Sequence, residues 1–127
     1  KKQYNDSNIK FLGEKTNEEV LNIISEAKAV VTATKLYEGQ PMLLCEASSM
    51  GIPSIFPKTG GVSEYFPKDY KLSFNQFDYD DLKEKLELIN KEETIVQIGK
   101  ENLDFISTYL NKEKLLNQFE RVLNENQ

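Results

Sequence analysis

Residues 29–56 read AVVTATKLYEGQPMLLCEASSMGIPSIF. The β-branched start, AVVTAT, predicts a buried strand, and the end, PSIF, predicts another. Between them, Pro41 suits the first position of a helix and Gly51 suits the residue just past a helix end, so residues 42–50 are predicted to be helical. A strand, a helix and a second strand in this order predict two neighbouring parallel strands.

The same alternation continues towards the N-terminus. Residues 9–13 are a short apolar run ending in glycine, which predicts a strand. Thr16 and Glu19 have the spacing of a capping box, which predicts the start of a helix. The face of this helix that would pack on the sheet is formed by Val20, Ile23, Ile24 and Ala27.

Towards the C-terminus the pattern predicts further elements of both kinds. They are a short helical turn at residues 60–65, a strand at 70–74, a helix at 80–90 and a helical tail from residue 95 onwards. The apolar residues of the tail are Ile95, Ile98, Leu103, Ile106, Leu110, Leu115, Phe119, Val122 and Leu123. We therefore predict an α/β fold with a parallel sheet, and terminal helices that pack across it.

Composition excludes several classes of function. The 127 residues allow one domain or part of one. Acidic residues outnumber basic ones by 21 to 16, so nucleic acid is not an expected partner. Cys45 is the only cysteine and lies in an apolar run, which favours a buried core residue over a disulfide or a metal ligand. No segment has the roughly 20 apolar residues that span a bilayer, so we expect a cytoplasmic protein.

Two glutamates near the predicted helix 42–50 point to an anionic ligand. Glu38 lies in the loop after a strand, where Gly39 lets a ligand approach the backbone. The first amides of the helix, including those of Met42, Leu43 and Leu44, favour a phosphate. Glu46 lies on a helix that is apolar nearly all round, so its buried carboxylate would need donors such as ribose hydroxyls. Alternatively, both glutamates are solvated, or Glu46 pairs with a lysine.

The segment from Glu38 to Glu46 resembles the signature of retaining glycosyltransferases of the large family-four class with the B fold. In that signature two glutamates, separated by seven residues, follow a strand. Residues 10–13 resemble the strand before the base pocket, 46–53 the helix-to-strand segment, and 60–64 the following glycine loop. The resemblance implies an incomplete Rossmann-like sheet. It also implies that residues 1–127 are part of one domain, the C-terminal donor-binding lobe, without its upstream strands and N-terminal acceptor lobe.

The resemblance also implies roles for individual residues. Glu38 would contact the transferred sugar, and the backbone around Gly39, Gln40, Met42 and Leu43 would meet sugar oxygens and the diphosphate. Glu46 would hold the ribose. Phe11, Leu12 and Gly13 would lie near the base through backbone contacts, although strand core explains the side chains of Phe11 and Leu12 better. Gln40 departs from the aromatic residue that often follows the glycine.

No cofactor or metal is expected, because the B fold stabilises the leaving diphosphate with helix amides and basic side chains. Asp78 and Asp80 have the spacing of an acidic metal pair, but a helix start explains them better. The usual basic clamp has no matching positions here. Gly60 and Gly61 lack the strand and spacing of a dinucleotide site.

The expected function is nucleotide-sugar binding within a bacterial-type, hexosyl-transferring enzyme that retains anomeric configuration, in glycan or polysaccharide synthesis. The partners would be a nucleotide sugar and a sugar or lipid-linked acceptor bound by the missing lobe. The intact protein could contact the inner membrane face, whereas this fragment would be inactive and could self-associate. Two alternatives are a non-catalytic α/β module that binds a nucleotide or protein, and a sugar-nucleotide epimerase.

Overall fold

The computed structural model describes residues 7–37 and 39–126. Within them, three parallel strands lie in the order β1, β2, β3, with Val30 paired to Ser54 and Phe56 paired to Ser73. The strands are β1 (Val30–Val31), β2 (Ser54–Pro57) and β3 (Ser73–Phe74). The helices are α1 (Asn17–Glu26), α2 (Met42–Ser49), a 3-10 helix (Val62–Tyr65), α3 (Tyr79–Leu88), α4 (Glu92–Tyr109) and α5 (Lys112–Glu125). This architecture confirms the predicted α/β class, with an open, Rossmann-like parallel sheet.

The prediction of a strand at residues 9–13 is wrong. These residues are described but have no regular secondary structure, and the Phe11 side chain is 77% exposed. Gly13 takes a positive φ of 69°, which turns the chain out of an extended path. Because these residues have neither ladder hydrogen bonds nor burial, nothing offsets the conformational entropy that they would lose in forming a strand. The strand-core explanation of Phe11 and Leu12 is therefore also wrong, since both side chains are exposed.

Local signals at the helix starts are confirmed. Thr16 Oγ1 accepts from the Glu19 amide at 3.2 Å, and Glu19 Oε2 accepts from the Thr16 amide at 2.8 Å, which completes the capping box of α1. Asp78 Oδ1 accepts from the Asp81 amide at 3.0 Å, so Asp78 caps α3. In α1 only part of the predicted face is covered, because Ile24 is buried whereas Ile23 is exposed.

The core lies around the completely buried strand β2. Phe56 packs with Leu44, Val62 and Phe66 on one side. A second cluster joins Ile55 to Leu72, Phe74 and Ile98. The sheet is thus covered by α2 and the 3-10 helix in one cluster and by α4 in the other.

The predicted strand at residues 70–74 forms ladder pairs only at Ser73–Phe74, and the Tyr70 side chain makes contacts outside the ladder. The Tyr70 hydroxyl accepts from the Ser54 amide at 3.1 Å and donates to the Ser54 carbonyl at 2.7 Å. Asn102 Nδ2 on α4 donates to the same hydroxyl at 3.1 Å. Tyr70 therefore links the start of β2 to α4.

The last helix does not pack as expected. Helix α4 is buried at Ile95, Ile98 and Ile106, in agreement with the prediction. Helix α5 has no buried residue, so the prediction that both terminal helices pack across the sheet is wrong for α5. Its exposed apolar side chains are Leu115, Leu116, Phe119, Val122 and Leu123. No helix in the described part of the chain is long and apolar enough to cross a bilayer.

Candidate functional site at the carboxyl edge of the sheet

The loops that follow the three strands meet at one edge of the sheet. Because the strands are parallel, their carboxyl ends point the same way, and this edge is where open α/β sheets bind ligands. Gln76 Nε2, after β3, donates to the Thr34 carbonyl, after β1, at 3.4 Å. The Lys58 amide, just after β2, donates to the Phe74 carbonyl at 2.8 Å. A side-chain bond thus joins the loops after β1 and β3, and a backbone bond joins the start of the loop after β2 to the end of β3.

Two glycines bring the loops after β1 and β2 together. A Cβ atom at Gly61 would lie 3.2 Å from the Gly39 carbonyl oxygen, closer than nearly all real contacts of this kind. Glu64 Oε2 would lie 3.9 Å from the same position. The absence of a side chain at Gly61 therefore permits the approach, and it brings the predicted glycine loop beside the predicted ligand loop.

Helix α2 begins at this edge with free amide groups. It starts at Met42, and Pro41 is its N-cap rather than its first residue. No side chain caps it, and its first turn contains no acidic residue. The amides at its start are therefore open to an anion, which the helix dipole also favours. Gly51 follows the helix end with a φ of 72°, as its predicted position requires.

The exposure of α2 differs from the prediction of a largely buried helix. Leu44, Cys45, Ala47 and Ser48 are buried, but Met42 and Leu43 are exposed at the carboxyl edge. Gln40 is also exposed. The packed face is therefore narrower than the apolar sequence suggests, since nothing described covers the first turn.

Glu46 is half-buried on α2. It forms no hydrogen bond or ion pair with the described residues, so the alternative of pairing with one of their lysines is wrong. Burial is the main cause that raises the pKa of the neighbouring Cys45 thiol above its ordinary value, and the negative charge of Glu46 adds to the rise. Cys45 is thus a buried core residue, as predicted, and its thiol is held neutral, while the Glu46 carboxylate has no donor among the described residues.

Two groups of predicted site residues are not placed in this arrangement. Glu38 lies outside the described residues. Phe11, Leu12 and Gly13 precede α1, and no hydrogen bond between described residues joins them to Gly39 or to the start of α2. The structure brings together only the Gly39 loop, the start of α2 and the glycine loop.

Two polar side chains at this edge were missed by sequence reasoning. Lys58 directly follows β2, and with Ser63 and Lys68 it helps to line a cavity of about 490 Å³. Gln76 follows β3 and reaches Thr34. Each lies two residues after the end of a predicted strand, which was the available signal. As for metals, the described residues contain no group of three or more His, Cys, Asp or Glu side chains placed to bind an ion.

Comparison with protein families extends over nearly the whole chain. The family model described as glycosyl transferases group 1 matches residues 1–120, which include the complete described sheet and helices α1 to α4. Searches of curated proteins and of solved structures found no match. The chain belongs to the glycosyl transferases group 1 family and is a glycosyltransferase domain.

Proposed function

We propose that this chain is the C-terminal, nucleotide-sugar-binding lobe of a retaining glycosyltransferase with the B fold. The approach of Gly61 to the Gly39 carbonyl supports the proposal most strongly. It places two glycine-containing loops beside the free amides at the start of α2, where a diphosphate can contact backbone from both sides.

The proposed donor pose assigns a part to each segment. The diphosphate meets the amides of Met42 and Leu43, and the loop at Gly39 and Gln40 meets sugar oxygens. Glu46 accepts hydrogen bonds from the ribose hydroxyls, which are donors that its carboxylate lacks among the described residues. Residues 11–13 supply backbone contacts to the base.

The proposed reaction proceeds on the front face of the sugar. The bond from the anomeric carbon to the diphosphate oxygen breaks as the acceptor oxygen bonds to that carbon, and the acceptor proton passes to the leaving phosphate. Glu38 positions the sugar and is not a nucleophile. Amides aimed at the leaving group stabilise its developing charge, which lowers the barrier.

The wider setting is part of the same proposal. The acceptor is a sugar or lipid-linked hydroxyl held by a separate N-terminal lobe, and the product is a glycan or polysaccharide. We propose hexosyl transfer at the inner face of the membrane or in the cytoplasm. The isolated chain should not transfer sugar, because no second lobe closes over the donor to exclude water.

Calorimetry of the chain with UDP, GDP and ADP tests the donor proposal. One of these nucleotides should bind, and Glu46→Gln should weaken that binding by about ten- to two-hundred-fold, which corresponds to losing a charged hydrogen bond of about 1.5–3 kcal/mol. Glu38→Gln should leave nucleotide affinity nearly unchanged and lower turnover of the sugar donor in the full-length enzyme, since its contacts serve the transition state.

The matched control is Glu113→Gln, which makes the same charge change on exposed α5. It should affect neither nucleotide affinity nor turnover. If Glu46→Gln binds the nucleotide as tightly as the parent chain, Glu46 does not hold the ribose. If none of the nucleotides binds, the donor-site proposal is wrong.

A further inference from the structure

The loop after β3 contains an exposed aromatic pair that the donor site does not use. A shallow concavity of about 510 Å³ is lined by Gln76, Phe77, Asp78, Tyr79 and Asp80. Phe77 is 61% exposed and Tyr79 is 59% exposed. The bond from Gln76 to the Thr34 carbonyl holds this loop at the same sheet edge as the loop that leads to Gly39. The pair therefore lies on the functional edge of the domain.

Phe77 is held in a strained backbone conformation. Its φ is 69°, in the left-handed region, which is unfavourable for a residue other than glycine. On either side of it, Asp81 Oδ2 accepts from the Asn75 amide at 2.8 Å and Asp78 caps α3. The side chain is mostly exposed, so burial does not offset the strain. Such strain is characteristic of ligand-binding positions.

The carboxylates around the pair are not equivalent. Asp78 is engaged in the cap, and Asp81 bonds to Asn75 and lies 3.3 Å from Lys85 Nζ. Asp80 is exposed and makes no hydrogen bond or ion pair with a described residue. The concavity thus presents two aromatic rings and one unengaged acceptor group.

We propose that Phe77, Tyr79 and Asp80 form a subsite for a neutral pyranose ring of the carbohydrate acceptor, remote from the reacting hydroxyl that the separate N-terminal lobe holds. The apolar C–H face of a sugar packs on aromatic rings, and its hydroxyls donate to a carboxylate. The aspartates make an anionic lipid or acidic peptide a poor occupant, whereas they favour a ligand rich in hydroxyl donors. That the sugar is the acceptor rests on the proposed transferase function.

Aromatic ¹³C NMR of the chain, titrated with maltose, cellobiose and chitobiose without nucleotide, tests the subsite. At least one disaccharide should shift the Phe77 and Tyr79 resonances together and saturably. Phe77→Gly should abolish the response at Tyr79 without lowering the thermal midpoint, because glycine adopts this φ readily. Tyr79→Ala should abolish the response at Phe77.

The matched control is Asp69→Gly, which replaces the other described non-glycine residue with positive φ, at 60°. It should leave the sugar response intact. No shift with any of the three disaccharides, or an undiminished response in Phe77→Gly, would overturn the subsite. A marked loss of stability in Phe77→Gly would also overturn it, because the side chain would then be structural. Saccharide binding without nucleotide binding would contradict the donor proposal and leave this subsite standing.

Discussion

A single hydroxyl group, that of Tyr70, connects three parts of the core. It bonds to both backbone groups of Ser54 and to the Asn102 side chain. Burial raises the Tyr70 pKa to about 12, and the bonds from Asn102 and Ser54 only partly offset this rise. The folded chain therefore holds Tyr70 neutral more strongly than the unfolded chain does.

We expect stability to fall at alkaline pH through Tyr70. Because its pKa is raised from 10 to about 12 on folding, its contribution is complete below pH 10 and is lost as pH rises towards 12. A difference of two pKa units between the folded and unfolded chain corresponds to about 3 kcal/mol in the free energy of unfolding. Urea unfolding at a series of pH values measures the slope of the unfolding free energy against pH. Tyr70→Phe should be less stable by about 1–3 kcal/mol at pH 8 and should have a flatter slope.

The control for this measurement is Tyr37→Phe, at an exposed tyrosine. Tyr37→Phe should lose as much unfolding free energy between pH 10 and 12 as the parent chain does. A parent-like slope in Tyr70→Phe would show that other groups cause the alkaline loss.

Single residues also show how far the candidate site can be predicted. Gly39 and Glu46 were identified because their residue types and spacing are local features of the sequence. The tight contact at Gly61 involves a carbonyl 22 positions earlier in the chain, so no local pattern reveals it. The strain at Phe77 is likewise invisible, since phenylalanine gives no signal for a positive φ.

Among the elements, α4 closely approaches the backbone that follows α2. A Cβ atom at Gly99 of α4 would overlap the Gly51 carbonyl oxygen and would lie 2.9 Å from the Gly51 carbonyl carbon. Gly51 follows the end of α2 with a positive φ and leads into the buried start of β2. Gly99 therefore determines how closely α4 covers the sheet.

Gly99→Ala should destabilise the domain, although alanine is the better helix former. Overpacking against backbone costs about 1–3 kcal/mol, and we expect the upper end because neither Gly51 atom can rotate away. The gain in helix propensity is about 1 kcal/mol, which leaves a net loss of about 2 kcal/mol. Thermal or urea unfolding measures the change. Gln97→Ala on the exposed face of α4 is the control and should change stability little. An increase in stability in Gly99→Ala would contradict this packing.

Elements with local signals were predictable, and elements that need a partner were not. The caps of α1 and α3 use residues three positions apart, so the sequence contains the complete interaction. A strand at residues 9–13 needs a neighbouring strand as well as an apolar pattern. Similarly, periodicity predicted helix α5 but could not show which surface its apolar face would meet.

At the scale of the whole molecule, the described chain leaves several apolar surfaces exposed, and two of them bear on association. One is the α5 face of Leu115, Leu116, Phe119, Val122 and Leu123, and the other is at β1, where Val31 is exposed and one strand edge has no described partner. Apolar faces and strand edges of this kind favour association. The net charge of −5 opposes association by mutual repulsion, but salt screens that repulsion.

We therefore expect the isolated chain to self-associate through α5, and more strongly as salt increases. Phe119 is 62% exposed at the centre of the α5 face, so Phe119→Glu should shift the chain towards monomer by placing a charge where apolar contact is needed. Gln118→Glu adds the same negative charge at the adjacent polar position, and it should leave association nearly unchanged. Light scattering across a concentration series, at low and high salt, distinguishes the two variants. A parent chain that stays monomeric throughout, or equal effects of the two substitutions, would show that α5 is not the associating surface.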